Sequence, residues 1–87
     1  MNIRIEKPFD VFDNLYLEFK KQYLGKHVKV KYIIQDKLIE KEGALEDISI
    51  SGIVLKMERT IIALPYEIGI EIEKKQETSG LAEVLNK

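Results

Sequence analysis

The segment from Gly43 to Ser51 reads GALEDISIS, and its pattern decides the fold of the chain. Its apolar residues do not alternate evenly: Leu45 and Ile48 are three positions apart, whereas Ile48 and Ile50 are two apart. A slip of one residue turns side chains to the wrong face of a strand unless a β-bulge absorbs it. The segment therefore predicts a strand that bends sharply, as the wall of a small barrel must.

Patterns of period two on both sides of this segment predict further strands. Residues 36–42 are charged and are expected to connect the first strand to the bent one. Residues 2–6 also alternate and could add a short strand before the helix. Five strands are too few for an immunoglobulin-type sandwich and suit a closed or nearly closed small barrel. Besides the bent segment, the strands are expected at residues 26–35, 53–58, 59–66 (interrupted by Pro65) and 67–73.

A helical period precedes the strands. Apolar residues recur every three or four positions and predict a helix at about residues 10–24. Asp10, Asp13 or Asn14 offers a capping side chain, and Gly25 is suited to end the helix. The apolar stripe is expected to be buried as a lid on the barrel; it consists of Phe9, Phe12, Leu15, Tyr16, Phe19 and Tyr23.

The size and composition of the chain limit its organisation. It has 87 residues, of which 45% are apolar and 33% charged, and no cysteine. This length suits one domain, which we expect at residues 1–75. The lack of cysteine excludes disulfides, thiolate zinc sites and cysteine nucleophiles. Residues 76–87 are expected to be a flexible tail, or one helical turn through Leu81, Val84 and Leu85 if they dock.

The apolar runs of the sequence bear on its location. The first ten residues carry charges where a signal peptide needs an apolar stretch. The longest apolar runs, such as residues 61–66, are far shorter than the roughly 18–20 residues that span a bilayer. We therefore expect a soluble, cytoplasmic protein without a membrane partner.

Three segments of the chain together resemble a known family. They read LGKHVKVKY at Leu24–Tyr32, GALEDISISGIVLKM at Gly43–Met57 and ALPYEIGIEIE at Ala63–Glu73. The C-terminal barrel domain of the ribosome maturation factor RimP has a similar run: a Gly-Lys-x-Val-x-Val strand, a Gly-x-Leu turn into a bent strand, an apolar strand, and Ile-Pro-aromatic-Glu. The resemblance covers about residues 24–73. It implies an SH3-like barrel and, as one class of partner, a ribosomal protein.

The chain is also similar to the wider class of Sm, LSm and Hfq barrels, in which a helix precedes five strands and RNA-binding rings often form. The expected fold is therefore mainly β, a five-stranded, strongly bent antiparallel SH3-like/Sm-like barrel preceded by an N-terminal α-helix. Where that class carries an Asp and an Asn, this chain reads SISG at residues 49–52. Where it carries Arg-Gly or Tyr-Lys-His, this chain reads LPYEIG at residues 64–69. The resemblance thus implies the barrel and self-association, not the ring-pore RNA site.

The sequence offers no catalytic constellation. His27 is the only histidine, and no Ser–His–acid grouping, metal-ligand spacing or phosphate-binding glycine loop accompanies it. Glu71 and Glu73 share a strand face, as solvated strand acids commonly do. We expect a protein that is not an enzyme and that has no metal and no cofactor.

Lysines supply the most concrete candidate for a ligand site. Residues 19–35 contain five lysines and no acid, although the net charge of the chain is −1. Lys26, Lys29 and Lys31 are candidates to contact RNA phosphates weakly, and Tyr66 is a candidate to stack on a base. The alternatives are that the lysines only keep a strand face solvated and that Tyr66 covers the barrel end.

The last predicted strand suggests self-association. Ile68, Ile70 and Ile72 would form an apolar edge that pairs with another copy, as a ring or dimer, with the basic and acidic segments meeting across the interface. The expected function is a non-enzymatic Sm-like binding or assembly module that is homo-oligomeric and contacts RNA weakly. The alternative is a protein-interaction adaptor with no role on nucleic acid.

Overall fold

A computed structural model describes residues 2–75, which form six strands, one α-helix and one 3-10 turn. The predicted tail at residues 76–87 lies outside this described part. The elements run in the order β1 (Asn2–Ile5), α1 (Asn14–Tyr23), β2 (His27–Ile34), β3 (Lys37–Ile48), β4 (Gly52–Lys56), β5 (Ile61–Pro65), the 3-10 turn (Tyr66–Ile68) and β6 (Ile70–Lys74).

All six strands belong to one antiparallel sheet in the order β1-β6-β2-β3-β4-β5. The prediction of a mainly β chain with a preceding helix is confirmed. The strand count is corrected from five to six, because residues 2–5 pair with β6 as an additional strand. Within residues 2–75 the sheet is not closed, since β1 and β5 each pair on one side only. The described strands therefore do not form a fully closed barrel, and the nearly closed SH3-like/Sm-like form stays a prediction.

The β2–β3 hairpin corrects the predicted charged connection at residues 36–42. Residues 37–42 belong to β3, and only Gln35 and Asp36 make the turn, with φ of 52° and 64°. Positive φ at both central residues is the geometry of the tight hairpin turns that match strand twist. The hairpin extends past the core. Ile34, at the end of β2 next to the turn, is therefore 42% exposed.

The β-bulge predicted in the second long strand is confirmed. The register of β3 against β4 shifts between Leu45 and Asp47, so that one extra residue is accommodated where the apolar period slips. Leu45 and Ile48 consequently both face the core and are almost fully buried. A bulge increases the local bend and twist of a strand. This irregularity lets the long strand β3 follow the core.

Helix α1 is shorter than predicted. Asp13 caps it by accepting a hydrogen bond from the Leu15 amide at 2.8 Å, and Gly25, with φ of 78°, follows its end. The helix buries Tyr16, Phe19 and Tyr23, as predicted. Phe12 precedes the helix and is 87% exposed, and Leu15 is 71% exposed. The expectation that these two residues belong to the buried stripe is wrong.

The core lies between α1 and the inner face of the sheet. Phe9, although only partly buried, contacts Tyr66 edge to face at 5.3 Å between ring centroids. Phe19 packs against Phe9 at 6.1 Å and Tyr66 at 6.5 Å, so the link before the helix and the 3-10 turn share one aromatic cluster. Such ring geometries add about 0.5–1.5 kcal/mol per pair beyond the area they bury. The cluster ties α1 to the far end of the sheet.

Candidate functional site

Two of the three predicted RNA-contacting lysines lie in a charge ladder on the outer face of the sheet. The strand register places one row of paired positions across β1, β6, β2 and β3, and a second row beside it. Neighbours within a row share a face and interact across the strands. The first row is Arg4, Glu71, Lys31 and Glu40, and the second is Asn2, Glu73, Lys29 and Glu42.

Glutamates flank each of these lysines. The Nζ atoms of Lys29 and Lys31 lie 4.0 Å from carboxylate oxygens of Glu42 and Glu40, respectively. The basic and acidic segments therefore meet within one hairpin, and their contact between copies stays a prediction. Lys26 precedes β2 and is exposed, outside the ladder. The structure does not gather the three lysines into a phosphate-binding cluster, because the two strand lysines already face acids.

Glu42 is the most charge-paired residue of the ladder. Its carboxylate lies 3.5 Å from the Lys75 ammonium and 3.6 Å from His27 Nε2. The Lys75 charge, with smaller contributions from hydrogen bonds and Lys29, holds the pKa of Glu42 below its ordinary value. Because the pKa is lowered in the folded state, Glu42 stabilises the fold above the pKa of the unfolded chain. That contribution is lost as the pH falls through the folded-state pKa.

We expect Lys75→Met to raise the pKa of Glu42 toward its ordinary value, because Lys75 is the main cause of the shift. An NMR titration of the Glu42 side-chain carboxyl carbon between about pH 2 and 7 measures this directly. Lys26→Met, which removes a lysine outside the ladder, is the matched control and should leave the Glu42 midpoint unchanged. Equal midpoints in the wild-type protein and Lys75→Met would contradict the ion pair.

Tyr66, the predicted base-stacking residue, is fully buried. Its hydroxyl donates a 2.6 Å hydrogen bond to the Ser49 carbonyl oxygen, and its ring lies in the aromatic cluster. Burial raises the pKa of the Tyr66 phenol, with smaller contributions from Tyr16 and Asp47. A side chain in this position cannot stack on a base. The stacking prediction is corrected because the 3-10 turn directs Tyr66 into the core instead of the solvent.

The predicted oligomer edge is an internal strand. The strand begins at Ile70, after the 3-10 turn, and β6 pairs with β1 on one side and β2 on the other. Ile70 and Ile72 are fully buried, and Ile68 lies in the 3-10 turn, partly buried against the core. The premise of a bare apolar edge at these residues is therefore wrong, because residues 2–5 cover it. Self-association itself stays a prediction.

The structure contains a groove that the sequence patterns did not indicate. It lies between β1 and α1 and has a volume of about 900 Å³. We call it the edge groove. Its apolar lining includes Ile5 and Phe19 from the core, the partly buried Ile3 and Phe9, and the exposed Leu15. A partly apolar cleft of this size is the usual form of a binding site.

The lining residues show how the two walls of the edge groove run. Phe9 packs against Tyr16 near the start of α1, at 5.7 Å between ring centroids, so the link from β1 to the helix lies at that end of the groove. At the other end Asn2 and Tyr23 line the groove. The helix therefore runs back alongside β1, with its C-terminal end near the start of β1. Four residues of β1 give the groove a length of about 13 Å.

One wall of the groove is a free strand edge. Within residues 2–75, β1 pairs only with β6, so alternate N–H and C=O groups of β1 point away from the sheet. Unpaired backbone groups of an edge strand are a template for another strand. The charged rim is mixed, because Arg4 and Glu6 form an ion pair at 2.7 Å. The site thus combines backbone hydrogen-bonding groups with apolar side chains and no dominant charge.

The remaining chemistry of the described residues is limited. Residues 2–75 contain no group of three or more His, Cys, Asp or Glu side chains placed to hold a metal ion. No helix in this part of the chain is long and apolar enough to cross a membrane. Comparisons with known protein families, curated proteins and solved structures give no match to the chain. Among the described residues the edge groove is the strongest candidate site, because it combines a partly apolar cleft with a free strand edge.

Proposed function

We propose that this protein is a non-enzymatic protein-interaction module. It binds an extended, apolar segment of a partner protein, which adds as a strand to β1 and places side chains in the edge groove. The observation that carries the proposal is the free edge of β1 beside an apolar cleft of about 900 Å³. An added strand supplies hydrogen-bond partners for the unpaired backbone groups of β1. Alternate side chains of the added segment then point toward the cleft.

The geometry also indicates the chemistry of the partner segment. Leu15 and Ile3 offer apolar contact, while Arg4 and Glu6 neutralise each other at the rim. The segment should therefore carry apolar residues at alternate positions and need no particular charge. Because β1 has only four residues, few backbone hydrogen bonds can form. We expect a transient complex at the small end of protein interfaces.

For the fold, we propose an incompletely closed relative of the SH3-like/Sm-like barrels, similar to the C-terminal domain of RimP. The bulged strand β3, the 3-10 turn between β5 and β6 and the preceding helix support this proposal. RNA contact through Lys26, Lys29 and Lys31 and homo-oligomerisation remain predictions. The ladder weighs against the RNA prediction, because two of those lysines face glutamates.

A peptide selection tests the proposed function. A random peptide library is displayed against the full chain, and selected peptides are titrated against purified variants. We expect Leu15→Asp to weaken binding at least tenfold, because it places a charge on the groove wall. Leu15 is 71% exposed and lies in the first turn of α1, where an acid suits the helix dipole, so folding should be retained.

Ile61→Asp is the matched control. Ile61 is 60% exposed on β5, at the opposite edge of the sheet, and this variant should bind as the wild-type protein does. Failure to select any peptide, or selected peptides that bind Leu15→Asp normally, would contradict the proposed function. A short single-stranded RNA is titrated in parallel at about 50 and 200 mM salt. Salt-sensitive binding lost on substitution of Lys29 and Lys31 would favour the RNA prediction instead.

A further inference from the structure

We propose that residues 76–87 of this chain fold back into the edge groove and compete there with a partner segment. The competition rests on the proposed function, whereas the docking of the tail can be measured independently. Three features point to this occupant: the place where β6 ends, the length of chain that follows, and the apolar pattern of that chain.

The described chain ends near the part of the groove that Asn2 and Tyr23 line. In the pairing of β1 with β6, Asn2 lies opposite Glu73, so β6 ends where β1 begins. The Lys74 ammonium lies 5.7 Å from the centre of the Tyr23 ring, and Tyr23 lines the groove. The amide of Lys75 still donates to the His27 carbonyl oxygen at 3.0 Å, which fixes the point of departure. Lys74 therefore places the end of the described chain beside the Tyr23 end of the cleft.

The length of the following segment fits this path. Twelve residues, QETSGLAEVLNK, follow Lys75. Residues 76–80 are polar or small and can span up to about 17 Å when extended, which exceeds the roughly 13 Å length of β1. The apolar residues come only after this spacer. The tail can therefore bring its apolar part to any point along the groove.

The apolar pattern of the tail suits a cleft with one open side. Leu81, Val84 and Leu85 are spaced by three and four positions, which places them on one side of a helical turn. The cleft offers Ile3 and Leu15 as incompletely covered apolar surface. A short tether keeps the tail at an effective concentration in the millimolar range, so even a weak contact is populated.

A docked tail reduces the affinity for a partner. Since a partner binds only the fraction of molecules whose groove is empty, its apparent dissociation constant rises by the inverse of that fraction. If two thirds of the molecules hold the tail, the affinity falls about threefold. Substitutions that release the tail should restore that affinity.

The first test uses tryptophan fluorescence of the full chain, which contains no native tryptophan. Leu85→Trp places the only indole on the tail. We expect its emission to be shifted to shorter wavelength relative to the same protein in denaturant, and the shift to be lost on adding Leu15→Asp. Adding Ile61→Asp, on the opposite edge, should leave the shift intact. Emission typical of a solvent-exposed indole would overturn the inference, and so would an emission wavelength that Leu15→Asp leaves unchanged.

A second test does not depend on a bulky probe. The chain has no native cysteine, so paired substitutions report proximity without background. Gln22→Cys with Leu81→Cys should form an intramolecular disulfide on mild oxidation, because Gln22 lines the groove. Ala63→Cys with Leu81→Cys is the control, since Ala63 is exposed on β5. Equal cross-linking in both pairs would contradict docking in the groove.

The two proposals fail in different ways. If the indole is buried and the cross-link is selective but no peptide is selected, tail docking is supported and the proposed function is contradicted. Peptide binding together with an exposed indole would support the proposed function and contradict docking of the tail. If both hold, replacing Leu81, Val84 and Leu85 together by Asp should raise peptide affinity about threefold or more. Unchanged affinity in that variant would refute the competition.

Discussion

Gly43→Ala is expected to lower the free energy of unfolding by about 2–3 kcal/mol, although it adds a single methyl group. Gly43 is buried in β3 where that strand lies against β4. A Cβ at this position would overlap the Lys56 carbonyl oxygen and lie 3.0 Å from its carbonyl carbon. These are backbone atoms of a paired strand, so relief requires moving β3 away from β4. The thermal midpoint should fall by roughly 10–20 °C.

Gly25→Ala is the matched control for this prediction. No atom would lie within 4 Å of the added Cβ at Gly25, but the φ of 78° is unfavourable for a residue with a side chain. The cost should therefore be about 1 kcal/mol, from backbone strain alone. Urea unfolding followed by circular dichroism compares the two variants. If Gly43→Ala loses no more stability than Gly25→Ala, the close approach of β3 to β4 is wrong.

The bulge in β3 was predictable because its cause is local. A slip in apolar period between Leu45 and Ile48 forces either a bulge or the burial of the wrong residues, and both positions are visible in the sequence. The end of the helix was predictable for the same reason, since Gly25 adopts the positive φ that favours glycine. These features depend on neighbours within a few residues.

The first half of β3 was missed because its stability comes from the partner strand. Residues 37–42 are mostly charged and show too little apolar character to predict a strand. They pair instead with β2, where Lys29 and Lys31 face Glu42 and Glu40. Cross-strand pairs of opposite charge stabilise a sheet. Such pairing is visible only once the register is known.

The edge groove depends on a long-range arrangement. Its two walls, β1 and α1, are brought together because residues 2–5 pair with β6 at the other end of the described chain. The exposed position of Leu15 follows from the same arrangement, since the apolar period alone does not say where the sheet ends. Only the exposed apolar residues on a predicted helix could have signalled a site, and they are indistinguishable from core residues in sequence.

Tyr66→Ala is expected to be the most destabilising of these substitutions, with a loss of about 4 kcal/mol of unfolding free energy. Tyr66 is fully buried and contacts both Phe9 and Phe19. Removing the ring leaves a cavity between the helix and the sheet and also removes the hydrogen bond to Ser49. For a domain with a total stability of about 5–15 kcal/mol, this change brings the protein close to unfolding at room temperature.

Tyr66→Phe removes the hydroxyl and keeps the ring, so it measures the contribution of the hydroxyl alone. It leaves the Ser49 carbonyl oxygen without the donor at 2.6 Å and should cost about 1–2 kcal/mol. Tyr32→Phe is the matched control, because Tyr32 is also buried, at 7% exposure, but donates no hydrogen bond within residues 2–75. Its cost should be near zero. Equal losses in the two variants, measured by urea unfolding, would show that the Tyr66 hydroxyl makes no special contact.

The same hydroxyl makes stability depend on alkaline pH. Burial raises the pKa of Tyr66 above the value of about 10 that the unfolded chain has. The neutral phenol therefore stabilises the fold fully below about pH 10, and this contribution is lost as the pH rises toward the folded-state pKa. Tyr66→Phe should flatten the fall in stability above pH 10 but not abolish it, because burial also raises the pKa of Tyr23. Urea midpoints compared between about pH 8 and 11 measure how steeply the stability falls with pH. Parallel curves for the wild-type protein and Tyr66→Phe would show that a group other than Tyr66 causes the fall.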